Sequence, residues 1–470
     1  MELDPVLLSR MQFAFVVSFH AIFPVFTIGL ASYIAVLEGI FYRTANPEWQ
    51  RLSMFWTKVF AVVFGMGVVS GIVMSFQFGT NWSSFAQAAA NFMGPVLSYE
   101  VITAFFLEAA FLGVLLFGRD KVPPGTHLFA AVMVALGTFV SSFWILATNS
   151  WMQTPDGVMY FSGMYQVTSW TEAIFNPSFP YRFGHFALAS FLTGGFVVAG
   201  VSAYYLLNNR AVSANKKALS MCMWMLLIAA PAQLVVGDMH GLNTLKHQPT
   251  KVAAMEGNWE RQSGAPLLLF AIPDQANQTN HYELGIPGLA SYLLKHDFEG
   301  EVPGVSEVPR AEQPPVAIVF WSFRVMVGLG VLMIGFVIAG LVLRLRGTLY
   351  SNRFFLQGLR AMAVAPFVAV LAGWIVTEVG RAPWLIYGEM THSEGVTPSL
   401  TGGMALFTLI GYVLVYAVIF VAGLYYITRV VQAGLEGEVT ADVEDEADRP
   451  MRPLSAAHTA FDTETPETGK

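Results

Sequence analysis

The chain has 470 residues, 55% of them hydrophobic and only 12% charged, with a single cysteine and a formal net charge of −7. Its mean hydropathy of +0.54 excludes an ordinary soluble domain, in which about a quarter of the residues carry charge. The apolar runs are long and do not alternate, so they exclude a β-barrel and read as an all-α integral membrane protein; the lone Cys222 excludes an internal disulfide, a Cys-ligated iron–sulfur cluster and a CxxCH haem attachment.

Windows of about 20 apolar residues place nine transmembrane helices, at 12–42, 54–77, 94–118, 127–149, 183–207, 218–237, 316–343, 355–378 and 403–429. Residues 1–432 then form one polytopic domain, with long connections at 150–182 and 238–315 that are not separate folded domains. The opening Met-Glu-Leu-Asp has no basic stretch and no cleavage site, so the first span reads as a retained anchor.

Span one carries His20 near its outer end, in FVVSFHAIFP. Span three carries Glu100 and Glu108, which eight residues of helix separate by roughly 12 Å along the axis. Two carboxylates stepping into a bilayer on one helix read as proton-relay stations, or as one interfacial and one hydrogen-bonded core glutamate. Ser141, Ser142 and Asn149 of span four extend a polar route or serve as helix–helix contacts. Span five opens with His185, in YRFGHFALAS.

In the 238–315 connection, KVAAMEGNWE offers Lys251 and Glu256, which by themselves read as an exposed charged helix. Span seven contains WSFRVMVG, where Arg324 needs a buried anion that a haem propionate would supply, two residues from Met326. A methionine in such a helix is otherwise ordinary packing. Span eight closes in AGWIVTEVGRAPW, with Trp374, Glu378 and Arg381. The stretch reads as an aromatic belt with a Glu378–Arg381 helix pair, or as a carboxylate ligand or proton donor held by an arginine. Beyond the last span, residues 433–470 are an acidic tail read as disordered, whose ten acids from Glu436 onward against Arg449, Arg452 and Lys470 account for the whole net charge.

Arg43, Arg51, Arg119, Lys121, Arg210, Lys216, Lys217, Arg344, Arg346, Arg353 and Arg429 collect at one set of span ends. The positive-inside rule makes that set cytoplasmic. An odd number of spans then puts the N-terminus and the 238–315 loop outside and the C-terminus in the cytoplasm.

Neutral imidazole, thioether and carboxylate can each hold haem iron. His20, His185, Met326 and Glu378 all fall in the outer halves of their spans. Cytoplasmic protons consumed there would pass Glu108 and then Glu100, which separates charge across the membrane without a pump.

FGTNW after Gln77, the span-three glutamate pair, LATNSWMQTP, KVAAME and the Glu-Val-Gly-Arg-x-Pro-Trp stretch together resemble subunit I of cytochrome bd-type quinol oxidases, from about Leu8 to about Arg429. The resemblance implies an electrogenic quinol:oxygen oxidoreductase that oxidises quinol at the outer face and reduces O2 to water. His185 and Met326 match the axial pair of low-spin haem b558, and His20 and Glu378 the ligands of the high-spin pair, haem b595 and haem d. Lys251 and Glu256 match quinol-binding positions, Glu100 and Glu108 the proton-path acids, and Arg381 and Trp374 residues beside the haems. The resemblance further implies subunit II as obligate membrane partner, a small single-span subunit, lipid contact, no nucleic acid, and a bacterial or archaeal cytoplasmic membrane. Two departures stand out. Ala382 replaces a common glutamine, and the short 238–315 loop resembles a branch in which the third haem is d or a further b-type haem.

Three rival readings fit less well. A haem–copper oxidase needs three histidines for its copper, whereas only His20 and His185 lie in spans, with His127 at a border. A carrier with buried glutamates predicts paired, Gly/Pro-broken spans and leaves His185 and Met326 unexplained. A pure electron-transfer cytochrome predicts six-coordinate haems that ignore added ligands.

Overall fold

The computed structural model describes residues 3–435, so the expected acidic tail lies outside them from residue 436 onward. Among the described residues, nine helical stretches are long and apolar enough to cross a membrane. They are α1 (Pro5–Thr44), α2 (Pro47–Thr80), α3 (Ala90–Phe117), α4 (Pro124–Gln153), α5 (Phe179–Leu207), α6 (Val212–His247), α8 (Val316–Leu345), α9 (Arg353–Val379) and α10 (Gly402–Ala433). A short α7 (Pro249–Glu256) follows α6 directly.

The starts follow local chemistry. Asp4 and Asn46 accept from Val6 N and Glu48 N at 2.9 Å, each just before a proline that opens α1 or α2. Such a proline loses no hydrogen bond, because the first helical N–H has no partner anyway. In α9, Ala363 and Val364 leave the helix, which restarts at Ala365 with Pro366.

α1 and α2 start seven residues before their expected spans, and three further departures bear on the site. α6 runs on to His247, past the expected end at 237, because hydropathy marks the lipid and not the length of a helix. α9 is broken. In α3, residues Val101–Phe105 form a π-helical turn between Glu100 and Glu108. A regular helix would leave these glutamates about 80° apart around the axis, and the wider π turn takes up the extra residue and returns them toward one face.

α1 is the central helix and packs on α2, α4, α5, α9 and α10. The largest core cluster, from Phe23 through Phe60 and Phe196 to Leu359, surrounds it. The long connections carry small hairpins rather than domains. β1 (Val158–Phe161) pairs with β2 (Met164–Val167), and β3 (Leu267–Asp274) with β4 (Thr279–Ile286). The second hairpin lies along the first turns of α8. Gln275 accepts from Val316 N at 3.0 Å, Phe270 packs edge-on against Trp321, and Arg324 Nε donates to the Leu268 carbonyl.

Candidate functional site

The residues singled out in the sequence fall into four groups. His20 of α1 donates or accepts through Nδ1 at 2.9 Å from Ser70 Oγ on α2. Ser70 is itself tied to the Gly67 carbonyl, and Tyr416 of α10 donates to the Ser70 carbonyl at 3.1 Å. With Nδ1 taken, Nε2 is the nitrogen available to a metal, the usual way an outer partner fixes a histidine ligand. Gly71 lets the ring approach, since a Cβ there would lie 3.0 Å from His20 Cε1.

His185 of α5 has a buried Nδ1 with no partner, and its Nε2 lies 3.3 Å from the Gln233 amide of α6. Met326 of α8 sits over Gly373 of α9, where a Cβ would come within 2.9 Å of Sδ. The neighbouring Trp374 meets Phe186, next to His185, edge-on at 6.4 Å. A short chain of contacts thus links Met326 to His185.

The third group gathers around Glu378. Asn149 of α4 donates to one carboxylate oxygen at 2.8 Å, and Arg381 donates to the other. Arg182 of α5 donates to Asn149 Oδ1 at 3.4 Å. Lys251 Nζ donates to Gln153 Oε1 at 2.6 Å and to the Thr377 carbonyl at 3.0 Å, and Gln248 also donates to Gln153 Oε1. Lys251 is only 2% exposed, so the exposed charged helix expected from its sequence is in fact packed under the exit of α9. Burial, then Arg182 and Arg381, pull its pKa well below the usual lysine range, with Glu378 opposing. Burial likewise lowers that of Arg381, against Glu378. Arg182 Nε and Arg381 Nε and Nη1 are buried without a partner. Unmet donors of this kind demand an acceptor, and paired guanidinium groups suit carboxylates.

The fourth group is the α3–α4 seam. Ser141 donates to Glu100 at 2.7 Å, and Glu108 lies over Gly137, one turn away on the same face of α4. Both glutamates therefore meet one stripe of α4, as the π turn requires.

Outside these groups, Glu256 finds Arg324 Nη2 at 2.8 Å. The anion that Arg324 needs is thus a protein carboxylate, and Phe320 and Phe323 lie 4.6 and 5.3 Å from the guanidinium. Sequence reasoning missed Arg182, Gln153 and Gln248. Arg182 lies three residues before His185, which puts it one helical turn away.

A membrane bundle that buries imidazoles, a thioether and arginines with unmet donors carries side chains of the kinds that suit haem. The description "Cytochrome bd terminal oxidase subunit I" matches residues 8–435, and the chain belongs to that family. It is 35% identical to "Cytochrome bd ubiquinol oxidase subunit 1" of Bacillus subtilis (strain 168), over 94% of this chain and 96% of that one. Identity to "Cytochrome bd-II ubiquinol oxidase subunit 1" of Escherichia coli (strain K12) is 30%, over 92% and 97%. The solved bd oxidase from Geobacillus thermodenitrificans superposes with a TM-score of 0.85 at 30% identity, covering 92% of this chain and 99% of that chain.

Proposed function

We propose that this chain is the quinol-oxidising, oxygen-reducing subunit of a terminal oxidase in a bacterial cytoplasmic membrane, working with subunit II and a small single-span subunit. His185 and Met326 would hold a low-spin haem b558; His20 and Glu378 would hold the high-spin pair, haem b595 with haem d or a third b-type haem. When bound, these groups supply the one-electron chemistry between quinol and O2.

The chain's own residues do the rest. Arg182 and Arg381 offer unmet N–H groups to haem carboxylates, and Trp374 fills the space beside Phe186. Both Glu378 oxygens already accept hydrogen bonds, so Asn149 and Arg381 would orient the carboxylate as a ligand. Glu256, paired with Arg324 beside the β3–β4 hairpin, would accept a hydroxyl proton from quinol. Lys251 braces the same region through Gln153. Protons from the basic end of the bundle, read as cytoplasmic, would reach the site by Glu108 and then Glu100, which separates charge. The N-terminus and the loop over 238–315 are read as lying outside.

The observation that carries this reading is the arginine pair with buried donors lacking acceptors, beside a carboxylate and imidazoles. The test is a reduced-minus-oxidised visible spectrum of the purified complex and of Met326→Leu. A low-spin b band that is lost or shifted in the variant, with the high-spin bands kept, is the expected result. An unchanged low-spin band would remove Met326 as a ligand, and a folded complex without haem would end the oxidase reading.

A further inference from the structure

At the basic end of the bundle, far from every group above, the end of α1, the starts of α2 and α6 and the α8–α9 turn border an open surface cavity of about 430 Å³. Its walls are Ile40, Trp49, Lys216, Lys217, Met221 and Tyr350, together with Ser220. The wall chemistry divides in two. Ile40 and Met221 supply apolar surface, while both lysines stand over aromatic rings, Lys216 at 5.7 Å from Tyr350 and Lys217 at 5.5 Å from Trp49.

The charges do not balance. Lys217 pairs with Glu48. Lys216 makes no ion pair among the described residues. A third cation, Arg344, reaches the wall by donating to the Ser220 carbonyl at 3.3 Å. A cavity at a helix-end interface with excess positive charge, amphipathic rings and an apolar floor matches a phospholipid with a net negative headgroup. A free inorganic anion would leave the apolar floor unused, and a zwitterionic headgroup would bring a further cation to a site already rich in them.

We propose that this cavity binds the phosphate of an anionic phospholipid from the leaflet at this end of the bundle, with Lys216 as its main charge contact and an acyl chain laid along Ile40 and Met221. The site is separate from the redox groups, so it stands or falls independently of the haem assignments.

The test uses the whole purified oxidase complex, stripped of lipid in detergent, with bound lipid counted by native mass spectrometry. Phosphatidylglycerol in mixed micelles, phosphatidylcholine in the same micelles, and inorganic phosphate alone are the three probes. Phosphatidylglycerol should be retained, phosphatidylcholine much less so, and inorganic phosphate should not compete at equal concentration. Lys216→Gln should weaken phosphatidylglycerol retention about fivefold, as expected for one interfacial charge, with turnover in detergent unchanged. Arg429→Gln, at the same end but outside the cavity, is the control and should keep wild-type retention. Equal retention of phosphatidylcholine, full competition by phosphate, an unaltered Lys216→Gln variant, or an equal loss in Arg429→Gln would each overturn the proposal.

Discussion

Gly29 of α1 and Gly194 of α5 meet backbone to backbone. A Cβ on Gly194 would lie 2.9 Å from the Gly29 carbonyl carbon, and one on Gly29 would strike the Ser190 carbonyl. Small residues at membrane helix crossings allow such close approach. Each glycine follows a candidate haem ligand by the same interval, from 20 to 29 and from 185 to 194. Spans one and five run in the same direction, so both histidines stand about 14 Å from the crossing, on the same side of it. The contact thereby fixes the spacing of the two imidazoles. Gly29→Ala should push the helices apart, cost about 1–3 kcal/mol and slow electron transfer from the low-spin centre to the oxygen site. Stopped-flow absorbance of the reduced complex mixed with oxygen reads this directly, and wild-type internal electron transfer would contradict it.

Glu108 lies over Gly137 and Glu100 accepts from Ser141. If the seam carries protons, Glu108→Gln should slow oxygen consumption by about a hundredfold, the low end for a lost proton-transfer group, while quinol still reduces the low-spin haem. Normal turnover in that variant would sink the relay.

Lys251 is sealed from solvent and bonded to Gln153 and the Thr377 carbonyl. Methionine fills similar space but donates nothing, so Gln153 Oε1 keeps only its bond from Gln248 and the Thr377 carbonyl only the longer one from the Gln153 amide. Because Thr377 adjoins Glu378, Lys251→Met should raise the KM for quinol and also shift the high-spin haem absorbance. A change in KM alone would instead mean that Lys251 contacts quinol directly.

His392, in the loop after α9, donates through Nδ1 to the Pro383 carbonyl at 2.5 Å. Burial, then Arg10 and Arg381, hold its imidazole neutral down to about 3, against an ordinary value of 6.5. The unfolded chain takes up a proton below its ordinary value and the folded chain only near the lowered one. Its contribution to stability is therefore fully present above pH 6.5 and is lost as pH falls toward 3. His392→Gln keeps a donor for Pro383 but cannot titrate, so the thermal midpoint should fall less steeply on acidification from pH 6.5. Parallel profiles for the two proteins would exclude His392 as a contributor.

The nine spans were legible because a bilayer accepts little besides apolar helices, and His20, His185 and Glu378 stood out because such helices carry few ionisable groups. What the sequence hid has a common cause. The π turn at Val101–Phe105 is a change of backbone pairing with no mark in composition. The burial of Lys251 comes from α7 folding back under α9, a tertiary event that outweighs a polar local sequence. Arg324 was expected to seek a propionate because the partner, Glu256, lies far off in the chain and is brought up only by α7 and the β3–β4 hairpin.

The unmet guanidinium groups of Arg182 and Arg381 also bear on biogenesis. A newly inserted chain that has not yet received acidic ligands there carries donors worth about 1–3 kcal/mol apiece in lost stability, against a typical total of about 5–15 kcal/mol. Its α5–α9 region should open more often than that of the finished subunit and present itself to membrane proteases first. Acidic ligands that satisfied those donors would raise the stability of the α5–α9 region, so subunit abundance would follow their supply.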